Sequence, residues 1–195
     1  YHSNELFVYF LPEIDQYDSE YVKKKQETLL IMDFANIENS EELKKLFHLA
    51  KNNPEQHIIN RNKGYDPTPL HESIREDDID TFQSLLSKNN FDVNHHFEFS
   101  FYERHICVDT NPSLIQIAAV YGSIKIFKYL WMQTNIILDD NLLGYAIFGR
   151  NYEIIHTCES KCNCGESLIY SILVYDQELI DYNYENHLDQ AQITP

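Results

Sequence analysis

The chain has 195 residues, 43% of them hydrophobic, with only five glycines, six prolines and a formal net charge of −16. That length and apolar content are one domain's worth and can bury a real core, and the scarcity of glycine and proline argues against an all-β or low-complexity chain. Phosphate recognition needs clustered Lys and Arg, so the acidic balance excludes nucleic-acid and anionic-lipid binding and favours solubility and a protein partner with a basic surface.

No run reaches the roughly 18–20 apolar residues of a membrane span, so no membrane insertion is expected. The apolar run from Leu6 to Leu11 is followed by Pro12 and lacks the basic flank and small-residue cleavage site of a signal peptide. The chain opens on Tyr1 rather than Met, which points to a segment of a longer or processed product. Four cysteines without regular spacing fit a reducing compartment, hence a cytoplasmic location.

Residues 1–60 read as an N-terminal helical cap region. Ser19 to Phe34 has the helical period, with Val22, Leu29, Leu30 and Met32 apolar and Lys23-Lys24-Lys25 exposed. Asn39 then stands as an N-cap with Glu42 three residues on, before a stripe of Leu43, Leu46, Phe47 and Ala50 that Asn52-Asn53-Pro54 ends. The glutamates and lysines supply the polar outer face that a terminal unit of a stacked array needs. His57 to Tyr65 reads as a connector. Thr68 is a good N-cap and Pro69 suits the first helical position, with Ile79 to Leu86 as the second helix of that pair.

Between Asn94 and Asn111, Phe97, Phe99 and Phe101 alternate with Glu98, Ser100 and Tyr102, the period of an extended segment. Two readings stay open: a long finger carrying aromatic partner contacts, or a segment folded back over the core. Ser113 to Trp131 is the clearest unit. Leu114, Ile115, Ala118 and Ala119 form an apolar stripe, Gly122 stops it, and Ile124, Phe127, Tyr129, Leu130 and Trp131 resume the period at once. The small alanines let a neighbouring helix pair come close. Further pairs start at Asn141, with Leu143, Ala146 and Ile147 before Glu153-Ile154-Ile155, and at Glu166, with Leu168, Ser171 and Ile172 before Glu178-Leu179-Ile180. The acidic, tyrosine-rich end closes on a tail at 186–195.

Thr68-Pro69-Leu70-His71-Glu72-Ser73-Ile74 resembles the opening motif of the ankyrin repeat, and Ser113 to Ala119 with Gly122-Ser123 resembles the same motif and its turn. Starts at 68, 113, 141 and 166 give spacings of 113−68=45, 141−113=28 and 166−141=25 residues against an ankyrin period of about 33, so the repeats are degenerate. The run from Ile74 to Glu159 is similar to a large, mostly uncharacterised ankyrin-containing family expanded in trichomonad protists. The resemblance implies an all-α, ankyrin-type solenoid of antiparallel helix pairs over 61–185, preceded by the N-terminal helical cap. It brings no enzymatic activity. It implies a non-enzymatic protein–protein interaction module, a scaffold or adaptor, or else a stoichiometric structural component of a cytoskeletal or other large assembly. Alignment with ankyrin surfaces assigns the partner contacts to Tyr65, Arg75, Glu76, Asp109, Val120, Tyr121 and Phe148, with Phe99 and Phe101 as anchors. In that family His71 hydrogen-bonds within the loop, a structural role.

His156, Cys158, Cys162 and Cys164 carry metal-ligand chemistry, H-x-C-x3-C-x-C. Against a site, Cys158 falls on a core-facing helical position and the C-x-C spacing is not that of zinc knuckles or ribbons, so no metal and no cofactor are expected. No G-x-S-x-G elbow, Gly-rich phosphate loop or H-E-x-x-H is present. Nothing orients His95-His96 against Cys107, and Asp77-Asp78 and Asp139-Asp140 sit at turns, where Asp bonds locally. No catalytic residue is assigned.

Overall fold

The computed structural model describes residues 2–31, 40–65, 67–97, 100, 102–103 and 111–187, and every regular element among them is a helix. The chain divides into two compact units, residues 1–67 with 99–104, and residues 68–98 with 105–195.

The first unit holds α1 (His2–Tyr9), α2 (Leu11–Tyr17), α3 (Ser19–Ile31), α4 (Ser40–Asn52) and α5 (Pro54–Lys63). The expected stripe of α4 is buried: Leu43, Leu46, Phe47 and Ala50 pack with Phe7, Val8, Leu11, Val22 and Tyr102 in one cluster. The expected break and cap at 37–39 lie outside the described residues. The connector expected over His57–Tyr65 is instead largely helical, as α5. Pro54 does not merely end α4. It takes a first-turn position of α5, where its missing N–H costs nothing, while the Asn53 side chain accepts from the Gln56 amide at 3.2 Å and Gly64 closes the helix at φ 76°.

Helix α5 carries the polar part of this core. His57 is fully buried. Its Nε2 lies 2.9 Å from the Tyr9 carbonyl, which can only accept, so Nε2 bears the proton and Nδ1 accepts from the Tyr102 hydroxyl at 2.8 Å. Arg61 donates to the same carbonyl at 2.8 Å and forms an ion pair with Glu13. Burial is the main cause that holds the His57 imidazole below its ordinary value of 6.5. The hydrogen bond from Arg61 holds Glu13 below 4.5.

Among the described residues the second unit holds four helix pairs. These are α6 (Pro69–Arg75) with α7 (Ile79–Asn89), α8 (Leu114–Val120) with α9 (Ile124–Trp131), α10 (Leu142–Gly149) with α11 (Tyr152–Glu159), and α12 (Ser167–Leu173) with α13 (Gln177–His187). The first helices rest on one another in the order α6, α8, α10, α12, and the second helices follow as α7, α9, α11. One contiguous core runs through all four pairs, from Leu70 to Leu179.

The pairs share a turn. Asp77, Gly122, Arg150 and Tyr175 stand at the same place after each first helix, at φ 51°, 66°, 53° and 53°. The following residue opens the second helix: Asp78 accepts from the Thr81 amide, Asn151 from Glu153 and Ile154, and Asp176 from Leu179. Ser123 is the exception, because its hydroxyl donates instead to the Ile74 carbonyl of the preceding pair. The Asp77 carboxylate of that preceding pair then accepts from the Lys125 and Ile126 amides, capping α9 from outside. Asn151 likewise donates to the Gly122 carbonyl at 3.1 Å, and the Arg150 guanidinium donates to the Val174 carbonyl. Each turn is thus bonded to its neighbour.

At its start α8 is tied by Ser113 and Gln116, whose side-chain carbonyl accepts from the Ser113 amide at 2.7 Å. Among the described residues, His96 and Ser113 form an antiparallel bridge ahead of this helix. Phe97 folds back against His71 with ring centroids 4.9 Å apart and packs half-buried on the core of the second unit, while Tyr102 is buried in the core of the first.

Two outcomes follow for stability. An added Cβ at Gly149 would sit 2.0 Å from the Ala119 carbonyl oxygen, so Gly149→Ala must push α8 and α10 apart at a cost of about 1–3 kcal/mol. Gly122→Asn should cost less, since Asn tolerates the left-handed turn and three sister turns are built without glycine. Thermal melts of the two variants check the order, and equal midpoints would contradict it.

The second outcome concerns pH. Because the folded chain binds the His57 proton less readily than the unfolded chain, the stability from the neutral imidazole is present above about pH 6.5 and lost as pH falls below it. Glu13 adds its own loss only below its unfolded value of 4.5. The melting midpoint should drop between about pH 7 and about pH 5, and His57→Gln should flatten that slope while lowering stability at neutral pH. An unchanged slope in the variant would contradict the assignment.

Candidate functional site

The residues expected to contact a partner separate by unit. Arg75, Glu76, Val120, Tyr121 and Phe148 lie at the ends of successive first helices in the second unit. Arg75, Val120, Phe148 and Leu173 occupy equivalent places in the four pairs, one residue after Ile74, Ala119, Ile147 and Ile172. Since the first helices rest on one another in order, these positions form a row across the unit.

The structure brings two of them into direct contact. The Arg75 guanidinium stacks 4.1 Å from the centroid of the Tyr121 ring, and Tyr121 also lies 5.8 Å from His71. Val120 and Phe148 are half-buried against the core, and Phe148 meets Tyr170 edge-on at 6.0 Å. Glu76 is exposed. Tyr65 belongs to the first unit, where the Lys63 ammonium sits 5.7 Å from its ring. Phe99, Phe101 and Asp109 lie outside the described residues. Leu173 was missed in the sequence, although its equivalence to Phe148 was available from the register of the repeats.

Between the starts of α10 and α12 is a cavity of about 460 Å³ lined by Asp140, Asn141, Gly144, Glu166, Ser167 and Tyr170, among others. Several of its polar groups are engaged with one another and with the fold. Tyr170 donates to Glu166 at 2.8 Å, Ser167 to the Cys164 carbonyl at 2.8 Å, and Asn141 accepts from Gln116 at 2.9 Å. The lining holds no histidine, cysteine or lysine, so it offers two carboxylates and an aromatic ring, suited to receiving a cationic side chain.

The cysteine cluster divides among different partners. Cys158 is fully buried on α11, and the neighbouring Cys162 side chain together with burial pushes its thiol far up, while the same neighbour holds the Cys162 thiol below its ordinary value. Cys164 is buried, its thiol raised by burial and pointed at the Cys162 carbonyl at 3.7 Å. His156 turns instead to Glu159 at 2.9 Å, and Glu159 also receives Tyr182 and His187 at 3.1 Å each, a clamp between α11 and α13. Among the described residues no group of three or more His, Cys, Asp or Glu is arranged to hold a metal, and no helix is long and apolar enough to cross a membrane.

Comparison with protein-family models, with curated proteins and with solved structures found no match.

The thiol geometry sets an order of reactivity. Alkylation at neutral pH should label half-buried Cys162 well before Cys158 and Cys164, because only its thiolate is favoured and within reach. Peptide mass spectrometry over a time course reads this directly, and first labelling of Cys158 would contradict it.

Proposed function

We propose that the chain is a non-enzymatic protein-interaction module built as an ankyrin-type solenoid with an N-terminal helical cap, acting as a scaffold or adaptor in a reducing, cytoplasmic setting. The observation that carries this reading is the repeated turn. Four left-handed residues at equivalent places, each followed by the residue that opens the second helix, support one stacked array of helix pairs. Such an array presents equivalent positions in a line, and the row Arg75, Val120, Phe148 with neighbouring Glu76 and Tyr121 is the proposed contact surface.

The partner suited to it is a protein with a basic surface. The net charge of −16 speeds its approach, and the cavity carboxylates Asp140 and Glu166 can receive a lysine or arginine beside the Tyr170 ring. The enzyme reading has less support, because the polar groups of that cavity include no nucleophile paired with a base.

A pull-down from native extract tests the surface. Exchanging Glu76 for Arg and Tyr121 for Ser should reduce recovery of specific partners several-fold, and raising salt should weaken capture further by screening the approach. Undiminished recovery by a variant whose melt shows it folded would overturn the map. Sedimentation of the chain with a large detergent-resistant assembly would favour the structural-component reading instead.

A further inference from the structure

We propose that Cys162 is a peroxide-reactive modification site, and that Cys158 resolves it by closing a reversible Cys158–Cys162 disulfide at the end of α11. This chemistry needs nothing from the row of first-helix ends or from its partner.

The fold sets the two thiols side by side. Cys162 stands four residues after Cys158, and its amide donates to the Cys158 carbonyl at 2.8 Å, so the helical turn continues past the end of α11 and keeps both side chains on one face. Cys158 is fully buried in the core of the second unit, and Cys162 is half-buried against that core. Cys164 is buried as well, but its thiol donates to the Cys162 carbonyl at 3.7 Å. The three thiols are free, and among the described residues none belongs to a group arranged to hold a metal.

The surroundings divide the roles. The Cys158 side chain holds the Cys162 thiol below its ordinary value, and the Lys161 ammonium adds to this against burial and the Asp140 carboxylate. Cys162 is thus the partly accessible thiolate, the species that attacks a peroxide. Its sulfur takes one oxygen from hydrogen peroxide as the O–O bond breaks, giving a sulfenic acid and hydroxide. The Cys158 sulfur then bonds to the Cys162 sulfur, the S–O bond breaks, and the Cys158 proton leaves with the hydroxyl as water. The Cys162 side chain is the largest cause that keeps the Cys158 thiol protonated, and oxidation of Cys162 removes that hold. Cys164, raised by burial and turned to a carbonyl, competes poorly for either role. Positions four apart on a helix place their Cβ atoms about 5–6 Å apart, and a disulfide needs about 3.8 Å. Closure therefore draws in the bend at Cys162, which lies beyond the helix end at Glu159.

Peptide mapping of the whole chain tests this. Protein exposed to hydrogen peroxide is denatured in a maleimide that blocks free thiols, then digested with trypsin without reductant. Cleavage after Lys161 separates Cys158, in peptide 151–161, from Cys162 and Cys164, in peptide 162–195, while Cys107 falls in 105–125. The expected product is 151–161 joined to 162–195 through Cys162, with the maleimide on Cys164 and the link lost on treatment with dithiothreitol. Dimedone, which traps sulfenic acid, should label Cys162 several-fold more in Cys158→Ala than in the parent. Cys162→Ser should leave Cys158 and Cys164 reduced under the same exposure. The map of the parent chain needs no variant and decides the matter if Cys158→Ala fails to fold. A link from Cys162 to Cys164 or to Cys107, first oxidation at Cys158 or Cys164, or passage of Cys162 to sulfinic acid without a link would each overturn the proposal.

Discussion

The contact on which the second unit depends is the approach of α8 to α10, where Gly149 lies against the carbonyl of Ala119. The gap is too small for any Cβ. With α8 and α10 that close, their turns come within hydrogen-bonding reach and the bond from Asn151 to Gly122 becomes possible, while Ser123 to Ile74 and Arg150 to Val174 make the corresponding links at the α6–α8 and α10–α12 junctions. Those bonds satisfy carbonyls at the ends of first helices and in the turns, groups that would otherwise need water at a place the stacking excludes it. Close packing and turn-to-turn bonding therefore require one another.

This coupling explains what could be read from the sequence and what could not. The start of α6 was legible in Thr68 and Pro69, and the end of α8 in Gly122, because each rule involves only residues within one turn of helix. The stripe of α4 was legible for the same reason. The role of Gly149 was not, since its partner Ala119 is thirty residues away in the chain and a glycine inside a helical period signals nothing on its own. Nor was the capping of α9 by Asp77, because Ser123 looks like an adequate cap until its hydroxyl is seen bonded elsewhere. The misreading of α5 has a different origin. Asn53-Pro54 both ends one helix and begins the next, and its local chemistry fits either role equally well.

The candidate surface was legible in a comparable measure. Register alone places Arg75, Val120 and Phe148 at one repeated position, so the row could be written down without coordinates. The stacking of Arg75 on Tyr121 could not, and it changes the chemistry offered to a partner. A guanidinium held over a ring has its direction fixed and gives up less conformational freedom on binding than a free arginine would. The aromatics of the insertion show the opposite case. Phe97 and Tyr102 share the alternation that suggested a finger, yet both are packed, one against His71 and the other against His57. Periodicity in a short extended segment tells which side chains share a side, but not whether that side meets water.

Both units bury polar groups, and the way they do so separates structural work from surface work. In the first, His57, Tyr102, Arg61 and Glu13 converge with the Tyr9 carbonyl, so that each buried donor faces an acceptor. In the second, Asn183 is buried on α13 and donates to Ser171 of α12, binding the last pair internally where earlier pairs use aliphatic or cysteine side chains such as Leu130 and Cys158. A polar link inside the last pair lets it hold its geometry with less help from a following neighbour, because a directed bond fixes helix orientation where loose apolar contact would not. The rigidity of α12 against α13 does not, however, remove the aliphatic residues on the outer side from water. A pair that is internally braced, with Ile169, Ile172 and Leu173 left half exposed on α12, keeps its shape without ordering those side chains further, so little ordering cost would remain on association.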